Sequence, residues 1–486
     1  MNMSLASLLH NDSLPQIVLS GLTEDSRQVQ AGDAFVATRG EHSDGHVYAA
    51  QAVQSGAVAV LCEQDLKGLS VPAIKVIRLR ERRSEIAARF FADPSRSLFC
   101  IGVTGTNGKT SVAHEVADLA SRLGAACGFI GTIGWGVPDD LKASVLTTEG
   151  PLVIQQRLAD LRDRNCSWVA METSSHALDQ YRVEAVAFDV AVFTNLTRDH
   201  LDYHQNMAAY GAAKRRLFLF ESLKHAIVNI GDPFGADLNA ELRTAGRLQV
   251  ISYGTDAADV HWQAVSRHDQ GFSAELVTPW GRQRVEVSLV GMFSLTNLAA
   301  AVAVLCVGGM RFADVASHLH QVRCVPGRME FYHAPGKPAV VVDFAHTPDA
   351  LGAVLKTLRG HCKGRLICLI GCGGDRDTGK RPLMARVAEQ EADQVILTSD
   401  NPRSEDPQAI INDMLRGMQH PETVLCNPDR AQAALIAMET AKPDDLVLLA
   451  GKGHEEYQEV SGKRFHYSDR EMAHVFMGHA SSKGDT

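Results

Sequence analysis

The chain contains the glycine-rich stretch Gly102-Val103-Thr104-Gly105-Thr106-Asn107-Gly108-Lys109-Thr110. An apolar run at 97–103 precedes it and predicts a strand, and the segment 111–123 is typical of a helix. A strand, a glycine-rich turn and a helix together form a phosphate loop, whose backbone N–H groups and helix N-terminus face phosphate oxygens. The stretch therefore predicts an α/β domain that binds ATP.

The glycine spacing departs by one position from the usual phosphate-loop pattern. The pattern G-x-x-x-x-G-K-[ST] requires glycine where Val103 stands, and Gly102 lies one place earlier. A glycine-rich turn with a surface lysine is the alternative, but the Gly-Lys-Thr ending and both flanking elements favour the phosphate loop. Lys109 is then expected to reach the β- and γ-phosphates, and Thr110 to bind Mg²⁺. The expected nucleotide contacts of this stretch are Gly105, Thr106, Asn107, Gly108, Lys109, Thr110 and Ser111.

Length and charge limit the class of protein. A chain of 486 residues suggests about three domains of ~150 residues each. The net charge of −9 argues against a nucleic-acid binder. We find no apolar run near the ~20 residues that cross a bilayer, and the N-terminus does not read as a signal peptide. The ten cysteines show no paired or zinc-binding spacing. We therefore expect a cytoplasmic protein with reduced thiols and no membrane insertion.

Turn signals at 93–95 and 325–327 divide the chain, so we predict domains at 1–93, 94–327 and 328–486. Strands and helices alternate in each part, which indicates parallel sheets with crossover helices. The Ala-rich segment 299–306 predicts a buried helix, and 46–55 a second helix. Strands are predicted at 34–37, 57–62, 168–171, 190–194, 339–344, 366–370, 394–398 and 446–450.

Polar clusters follow two predicted strands of the middle part, where ligands bind in open α/β sheets. Glu172 ends one strand and is a credible Mg²⁺ ligand, and His200 follows the next as a less usual one. A polar loop with satisfied hydrogen bonds is an equally good interpretation of these residues alone. His200 and His204 have the spacing of a zinc helix, but Leu201 stands where a metalloprotease requires glutamate. Lys214, taken alone, reads as a solvated helix residue.

Several motifs, taken together, resemble the Mur ligase family. They include GVTGTNGKT at 102–110, ETSSHAL at 172–178, TNLTRDHLDYH at 194–204 and YGAAKRRLF at 210–218. Shorter matches fall at 25–27, 32–37, 291–297, 326–330, 343–348 and 451–455, so the resemblance covers nearly the whole chain. It implies three α/β domains: an N-terminal UDP-binding domain, a central phosphate-loop ATPase domain with a mostly parallel sheet, and a C-terminal Rossmann-like domain.

The resemblance also implies an activity. Mur ligases activate a carboxylate with ATP and Mg²⁺ through an acyl phosphate and then join it to an amine. Lys109, Glu172, His200 and Lys214 are the implied catalytic residues, with Lys214 carbamylated. Thr110, Glu172, His200 and the Lys214 carbamate are the implied metal ligands. Further nucleotide contacts are implied at Asn297, Arg328, Asp343 and His346.

The segment Asp400-Asn401-Pro402-Arg403 is similar to the signature of the branch that adds meso-2,6-diaminopimelate to UDP-N-acetylmuramoyl-L-alanyl-D-glutamate. A guanidinium binds the distal carboxylate of diaminopimelate bidentately, whereas the ammonium of lysine would be repelled. The implied amino-acid site comprises Arg376, Asp400, Asn401, Pro402, Arg403, Gly451 and Glu455. For the UDP-sugar dipeptide, the implied contacts are Ser26, Glu41, His42, Ser43, Thr147, Thr148, Ser174, Gln180 and Arg182.

Three alternatives remain open on the sequence. The first is a lysine-adding relative, and Arg403 argues against it because such enzymes commonly lack this arginine. A folylpolyglutamate synthase is disfavoured by the DNPR signature and by the first-domain motif. A nucleotide switch without ligase activity would leave Glu172, His200 and Lys214 without a purpose. Ser294 and Phe344 depart from common family residues without affecting the assignment. No pattern demands an oligomer, so we expect a monomer.

Overall fold

The computed structural model describes residues 2–40, 43–268 and 271–478. Within these ranges, three sheets of mainly parallel strands follow one another along the chain, and helices alternate with their strands. This arrangement confirms the prediction of a three-part α/β fold. The domain boundaries at 93 and 327 stay predictions.

The N-terminal sheet is parallel and has the strand order Gly21–Thr23, Asp33–Ala37, Ala59–Cys62, Ala73–Lys75. All five residues of Asp33–Ala37 are buried, which explains the unbroken apolar run predicted as a strand. The predicted helix at 46–55 divides into a 3₁₀ turn, Gly45–Tyr48, and an α-helix, Ala49–Gln54. The other helices of this part are Leu5–Leu9 and Leu79–Phe90, and a small antiparallel pair joins Met3–Ser4 to Val18–Leu19.

The central sheet places the phosphate loop in its middle. The strand Phe99–Thr104 lies between Trp168–Glu172 and Val190–Phe193, parallel to both. The carboxyl ends of these strands therefore meet at one edge of the sheet, as predicted. The described strands follow the order Asp140–Lys142, Gly134–Val137, Cys127–Gly131, Trp168–Glu172, Phe99–Thr104, Val190–Phe193, His225–Asn229, Gln249–Tyr253. Gly134–Val137 pairs antiparallel with both of its neighbours, Asp140–Lys142 and Cys127–Gly131, and the remaining neighbouring pairs are parallel.

The helix Met292–Val307 confirms the predicted buried Ala-rich segment. Its residues from Leu298 to Leu305 are fully buried, and it packs against the helix Lys109–Arg122. Because the stretch 298–305 is enclosed on all sides, it needs no polar face. Further helices of this part are Pro151–Asp163, Ser175–Asp179, Leu201–His204, Met207–Arg215, Pro233–Ala245 and Phe312–His318.

An antiparallel sheet of the strands His261–His268, Gly271–Thr278 and Gly281–Val287 was not predicted. Its middle strand alternates buried and partly exposed residues, the period of a sheet with one covered face. It follows the last parallel strand and precedes the buried helix, so it extends the core of the central part.

The C-terminal sheet has the described strand order Glu330–Tyr332, Ala339–Asp343, Leu446–Ala450, Leu366–Ile370, Gln394–Leu397, Leu425–Cys426. Its pairs are parallel except the first. The predicted strands of this part are confirmed to within a residue at their ends. A hairpin of Tyr457–Val460 and Lys463–His466 follows. The helices are Pro348–Arg359, Arg381–Glu391, Pro407–Leu415, Arg430–Thr440 and Asp469–Met477. None of the helices in the described ranges is both long and apolar enough to span a bilayer.

Candidate active site

The phosphate loop takes a conformation that its glycines permit. Gly105 and Gly108 have φ angles of +149° and +86°, which residues with a side chain rarely adopt. A Cβ atom at Gly105 would overlap Oγ1 of Thr194, so the loop packs directly on the end of a neighbouring strand. Oγ1 of Thr194 donates a hydrogen bond of 2.6 Å to the carbonyl of Asn107. These contacts hold the loop at the N-terminus of the helix Lys109–Arg122, where an anion is favoured.

Two lysine side chains meet at this loop. Nζ of Lys109 donates hydrogen bonds of 3.0 Å to the Gly105 carbonyl and 2.8 Å to the Thr106 carbonyl. Nζ of Lys214, from the helix Met207–Arg215, donates a bond of 2.8 Å to the same Gly105 carbonyl. Lys214 is only 1% exposed. Its interpretation as a solvated helix residue is therefore wrong.

The surroundings of Lys214 favour a neutral amine. Burial, and then the charge of Lys109, lower the pKa of Lys214 well below its usual value. The ammonium position lies 4.1 Å from the ring centroid of Tyr210. A neutral amine is the form that adds CO₂ to give a carbamate, so the site fits the modification that the resemblance implies.

Glu172 ends the strand Trp168–Glu172 and is 1% exposed. Its carboxylate accepts hydrogen bonds of 2.7 Å from the Thr132 N–H and 3.1 Å from the Thr132 hydroxyl. A Cβ atom at Gly131 would overlap Oε1 of Glu172, so the glycine makes room for the carboxylate. Over the described ranges, no group of three or more His, Cys, Asp or Glu side chains is arranged to hold a metal ion. A metal bound here would therefore need a mixed ligand set that includes hydroxyl, phosphate or modified-lysine oxygens.

Asp199 is a buried carboxylate that the sequence reasoning did not assign. Its Oδ2 lies 3.3 Å from Nε2 of His200 and 3.4 Å from Nε2 of His346, and Oδ1 accepts a bond of 3.0 Å from Nζ of Lys380. Burial alone would raise its pKa, but the hydrogen bond from His346 and the charge of Lys380 hold the pKa of Asp199 well below its usual value. Asp199 directly precedes His200 in the polar cluster that follows the strand, and this position is the sequence feature that could have identified it as a site residue.

His200 is partly exposed and has a left-handed backbone conformation, with a φ of +54°. Burial is the main cause that lowers the pKa of His200 well below its usual value, so its ring is neutral and able to bind a metal. Its ring centroid lies 4.8 Å from that of His176. Nε2 of His204 lies 2.9 Å from the Ser175 hydroxyl, so this second histidine is engaged elsewhere.

A cavity of about 270 Å³ opens beside the phosphate loop. Arg328 reaches across from the C-terminal part and donates a hydrogen bond of 3.2 Å to the Thr110 hydroxyl. Its guanidinium lies 4.3 Å from the ring centroid of Phe344. Asp343 accepts N–H bonds from Met329 and Ala345, at 2.8 and 2.7 Å. The predicted nucleotide contacts that line this cavity are Asn107, Gly108, Thr110, Ser111, Asn297, Arg328 and Asp343. His346 instead lies against Asp199.

A larger cavity, of about 1040 Å³, lies in the N-terminal part. Ser26 and Ser43 line it, and the Ser26 hydroxyl donates a bond of 3.3 Å to Oε1 of Gln51. Arg27 and Arg83 also line it and were not predicted; they pair with Asp25 and Glu24, two carboxylates that line the same cavity. The predicted contacts Glu41 and His42 lie outside the described residues.

Another set of predicted substrate contacts surrounds the end of the strand that carries Glu172. The Thr148 hydroxyl donates a bond of 2.8 Å to the Glu172 carbonyl and accepts one of 3.1 Å from the Ser174 N–H. Arg182 donates bonds of 2.7 Å to the Thr148 carbonyl and 3.0 Å to Oε1 of Gln180. The Thr147 hydroxyl lies 3.1 Å from that of Thr132, which also contacts Glu172. The structure thus brings together Thr147, Thr148, Ser174, Gln180 and Arg182.

Two arginines of the C-terminal part converge. A Cβ atom at Gly373 would lie 2.9 Å from Nη1 of Arg403 and 3.8 Å from Cγ of Arg376, so both side chains approach the same glycine. Nη1 of Arg403 donates a bond of 2.7 Å to the Gly374 carbonyl. Partial desolvation and then the charge of Arg403 lower the pKa of Arg376. Two arginine charges that repel each other favour the binding of an anion beside them.

The remaining amino-acid-site residues form a network around Lys452, which is fully buried and was not assigned. Nζ of Lys452 donates bonds of 3.1 Å to Oδ1 of Asn401 and 3.0 Å to Oε2 of Glu455. Nδ2 of Asn401 donates a bond of 2.9 Å to the same Oε2. Gly451 has a φ of +109°, and a Cβ atom there would lie 2.9 Å from Oδ2 of Asp400. Pro402 connects Asn401 of this network to Arg403.

Comparison with known proteins identifies three domains of one family along the chain. Residues 103–305 match the Mur ligase middle domain, residues 327–453 the domain described as "Mur ligase, glutamate ligase domain", and residues 18–91 that described as "Mur ligase family, catalytic domain". A protein of Chromobacterium violaceum named UDP-N-acetylmuramoyl-L-alanyl-D-glutamate–2,6-diaminopimelate ligase is 45% identical, with 96% of this chain and 95% of its own length covered. A Pseudomonas aeruginosa protein of the same name is 46% identical, with 95% and 96% covered.

A solved structure of a UDP-N-acetylmuramoyl-L-alanyl-D-glutamate–2,6-diaminopimelate ligase superposes with a TM-score of 0.70 at 34% identity, covering 98% of this chain and 99% of the other. The chain is therefore similar to these proteins in sequence and in fold over almost its full length, including the parts that carry Lys109, Lys214 and Arg403. The chain belongs to the Mur ligase family.

Proposed function

We propose that this chain is an ATP-dependent ligase that joins meso-2,6-diaminopimelate to UDP-N-acetylmuramoyl-L-alanyl-D-glutamate, a step of peptidoglycan precursor synthesis. The ligase class rests on family membership. The observation that supports the choice of amino acid is the approach of Arg376 and Arg403 to the same glycine, Gly373. A pair of guanidinium groups suits the distal carboxylate of diaminopimelate and repels the ammonium that lysine would place there.

The first step activates the γ-carboxylate of the D-glutamyl residue. A carboxylate oxygen attacks the γ-phosphorus of ATP, an O–P bond forms, the bond to the β-phosphate oxygen breaks, and ADP leaves. The loop from Gly105 to Thr110 would bind the β- and γ-phosphates through its N–H groups. Lys109 would turn from the loop carbonyls toward the phosphates and offset the developing negative charge.

The buried polar groups around the loop fit a magnesium site. Thr110, Glu172, His200 and carbamylated Lys214 would hold Mg²⁺, with ATP phosphates and water completing the ligands. When bound, Mg²⁺ would offset negative charge on the phosphoryl group that is transferred. The low pKa of Lys214 supports its carbamylation, because the neutral amine is the reactive form.

The second step forms the amide. The neutral amine of diaminopimelate attacks the acyl carbon and the C–N bond forms, the C–O bond breaks and inorganic phosphate leaves, and the nitrogen releases one proton to the departing phosphate or to solvent. Arg403 and Arg376 would hold the distal carboxylate, and the network of Asn401, Lys452 and Glu455 would orient the amino-acid end. Ser26 and Ser43 would bind the uridine end of the other substrate, and Arg182 its muramoyl-peptide end.

The three substrates bind to different parts of the chain, so a closing motion must bring them together. We propose a hinge near Val325 to Gly327, with closure excluding water from the acyl phosphate. We further propose that the enzyme acts as a cytoplasmic monomer. All ten cysteines are free thiols, which fits a reducing compartment.

The function is tested by following phosphate release from ATP as substrates are added one at a time. Release should require UDP-N-acetylmuramoyl-L-alanyl-D-glutamate and should not occur with the precursor that lacks D-glutamate, because that precursor has no γ-carboxylate. Phosphate release without any UDP-sugar would instead indicate a nucleotide switch.

A further inference from the structure

Glu115 is a buried carboxyl group without an assigned role. It lies in the helix Lys109–Arg122, and its side chain lines the 270 Å³ cavity beside the phosphate loop. Glu115 is 4% exposed, and within the described part of the chain its Oε2 has no hydrogen-bond partner. An unsatisfied buried oxygen costs roughly 1–3 kcal/mol, and a ligand that donated a hydrogen bond to it would remove this cost.

The position of Glu115 points to the base of the nucleotide. Ser111 and Glu115 are four residues apart on one helix and so share a face. That face begins at the phosphate-binding N-terminus and continues about 6 Å along the helix axis to Glu115. A nucleotide whose phosphates occupy the loop would therefore extend its purine toward this carboxyl group.

The remaining walls of the cavity suit a planar purine. Leu289, Phe293 and Val354 present apolar surface, and Asn297 and Glu115 are polar groups among them. Ligand sites commonly combine apolar walls with a few polar groups that fix orientation. Arg328 and Thr110 stand at the phosphate end, which leaves Glu115 for the base.

We propose that Glu115 recognises the Watson–Crick edge of adenine, accepting a hydrogen bond from the exocyclic N6 amine and donating one to N1. This inference rests on the proposed use of ATP. It makes Glu115 a determinant of nucleotide specificity in addition to Asn297.

The surroundings of Glu115 favour the protonated form that this pairing requires. Burial, with a smaller contribution from the neighbouring Asp118, raises the pKa of Glu115 well above its usual value. The neutral carboxyl group carries one O–H donor and one carbonyl acceptor, which match N1 and the N6 amine of adenine. A glutamine side chain offers the same donor and acceptor pattern.

A thermodynamic cycle that combines the substitution of Glu115 with removal of the N6 amine of the ligand tests the proposed contact between them. Isothermal titration calorimetry, with no UDP-sugar present, would measure the Kd of ATP and of purine riboside 5′-triphosphate, which lacks the N6 amine. For the wild type, loss of the amine should raise the Kd about 10-fold, the effect of one hydrogen bond of about 1.4 kcal/mol. For Glu115→Leu, which loses both hydrogen bonds, the Kd of ATP should rise at least about 10-fold, and removal of the amine should then change it less than about 2-fold.

Matched variants separate recognition from folding. Glu115→Gln should bind ATP within about 3-fold of the wild type, because it keeps the donor and acceptor. Asp118→Glu, on the same helix, keeps the negative charge near Glu115 and the surface pairing with Arg122, which Asp118 makes at 2.8 Å, and should leave both Kd values unchanged. Glu115→Leu removes an unsatisfied polar group and should fold at least as well as the wild type.

Two outcomes would overturn the inference: wild-type affinity of Glu115→Leu for ATP, or an equal effect of amine removal in both proteins. Failure of the wild type itself to bind ATP would instead contradict the proposed function. The two failures are distinguishable because binding is measured without the acceptor substrate.

Discussion

Nζ of Lys380 donates a hydrogen bond of 3.0 Å to Oδ1 of Asp199, and both side chains are buried. Asp199 follows the central strand Val190–Phe193, whereas Lys380 ends the 3₁₀ turn Thr378–Lys380 of the C-terminal part. The pair therefore ties the loop that carries His200 to the segment that carries Arg376. This contact links the phosphate-transfer groups to the amino-acid site.

Replacing Lys380 by Met should lower the free energy of unfolding by about 3 kcal/mol, because Asp199 stays buried without its cation. Urea denaturation at pH 7 measures this. Lys356→Met is the matched control, since Lys356 pairs with Glu391 at 3.5 Å and is 69% exposed; it should change the free energy by less than about 0.5 kcal/mol. Equal effects of the two substitutions would show that the buried pair does not stabilise the contact.

Lys214 should carry a carbamate in the active enzyme. Protein incubated with ¹³C-bicarbonate should show a carbamate carbonyl resonance in ¹³C NMR, and Lys214→Ala should lack it. Lys214→Ala should also lose about 100-fold in kcat, the scale of one electrostatic group lost from a phosphoryl-transfer site. Equal activity of the variant and the wild type after bicarbonate depletion would contradict the assignment.

Arg403 should determine the choice of amino acid. Arg403→Ala should raise the KM for meso-diaminopimelate at least ~30-fold, since a bidentate, charge-assisted contact contributes about 2 kcal/mol or more. The KM for ATP should stay within about 2-fold, because Arg403 lies away from the nucleotide cavity. Arg464→Ala, at an exposed arginine of the nearby hairpin, is the control and should change neither constant. A parallel rise in both KM values would point to a general structural role.

His176 should make the stability of the metal-free protein depend on pH. Burial, together with nearby positive groups led by His204, lowers the pKa of His176 to about 4. As the pH falls from about 6.5 toward 4, the unfolded chain gains a proton that the folded chain does not, so stability is lost over this window. His176→Gln should lose up to about 3 kcal/mol less than the wild type between pH 7 and pH 4. Parallel stability curves of the two proteins in urea would contradict this.

The sequence was most informative where a function depends on a short contiguous stretch. The strand, glycine turn and helix around Lys109 were predicted from local pattern and are confirmed, because backbone conformation and phosphate binding there depend on neighbours in sequence. Glu172 was placed correctly at a buried strand end for the same reason.

Contacts between distant segments could not be predicted in this way. Asp199 and Lys380 are 181 positions apart, and nothing local to either residue indicates the other. Lys452 reads as a surface lysine beside glycines, yet the folded chain buries it against Asn401 and Glu455. The antiparallel strands after residue 260 have little apolar alternation on their exposed outer members, so the sequence pattern did not separate them from loops.

The central claim is tested most directly by comparing amines in the complete reaction. ATP, Mg²⁺ and UDP-N-acetylmuramoyl-L-alanyl-D-glutamate would be supplied with either meso-diaminopimelate or L-lysine, and phosphate release and the mass of the product would be measured. The structure predicts a product with diaminopimelate and a kcat/KM for lysine at least ~100-fold lower, because lysine has no distal carboxylate for Arg376 and Arg403. A preference for lysine, or no product with either amine, would contradict the account.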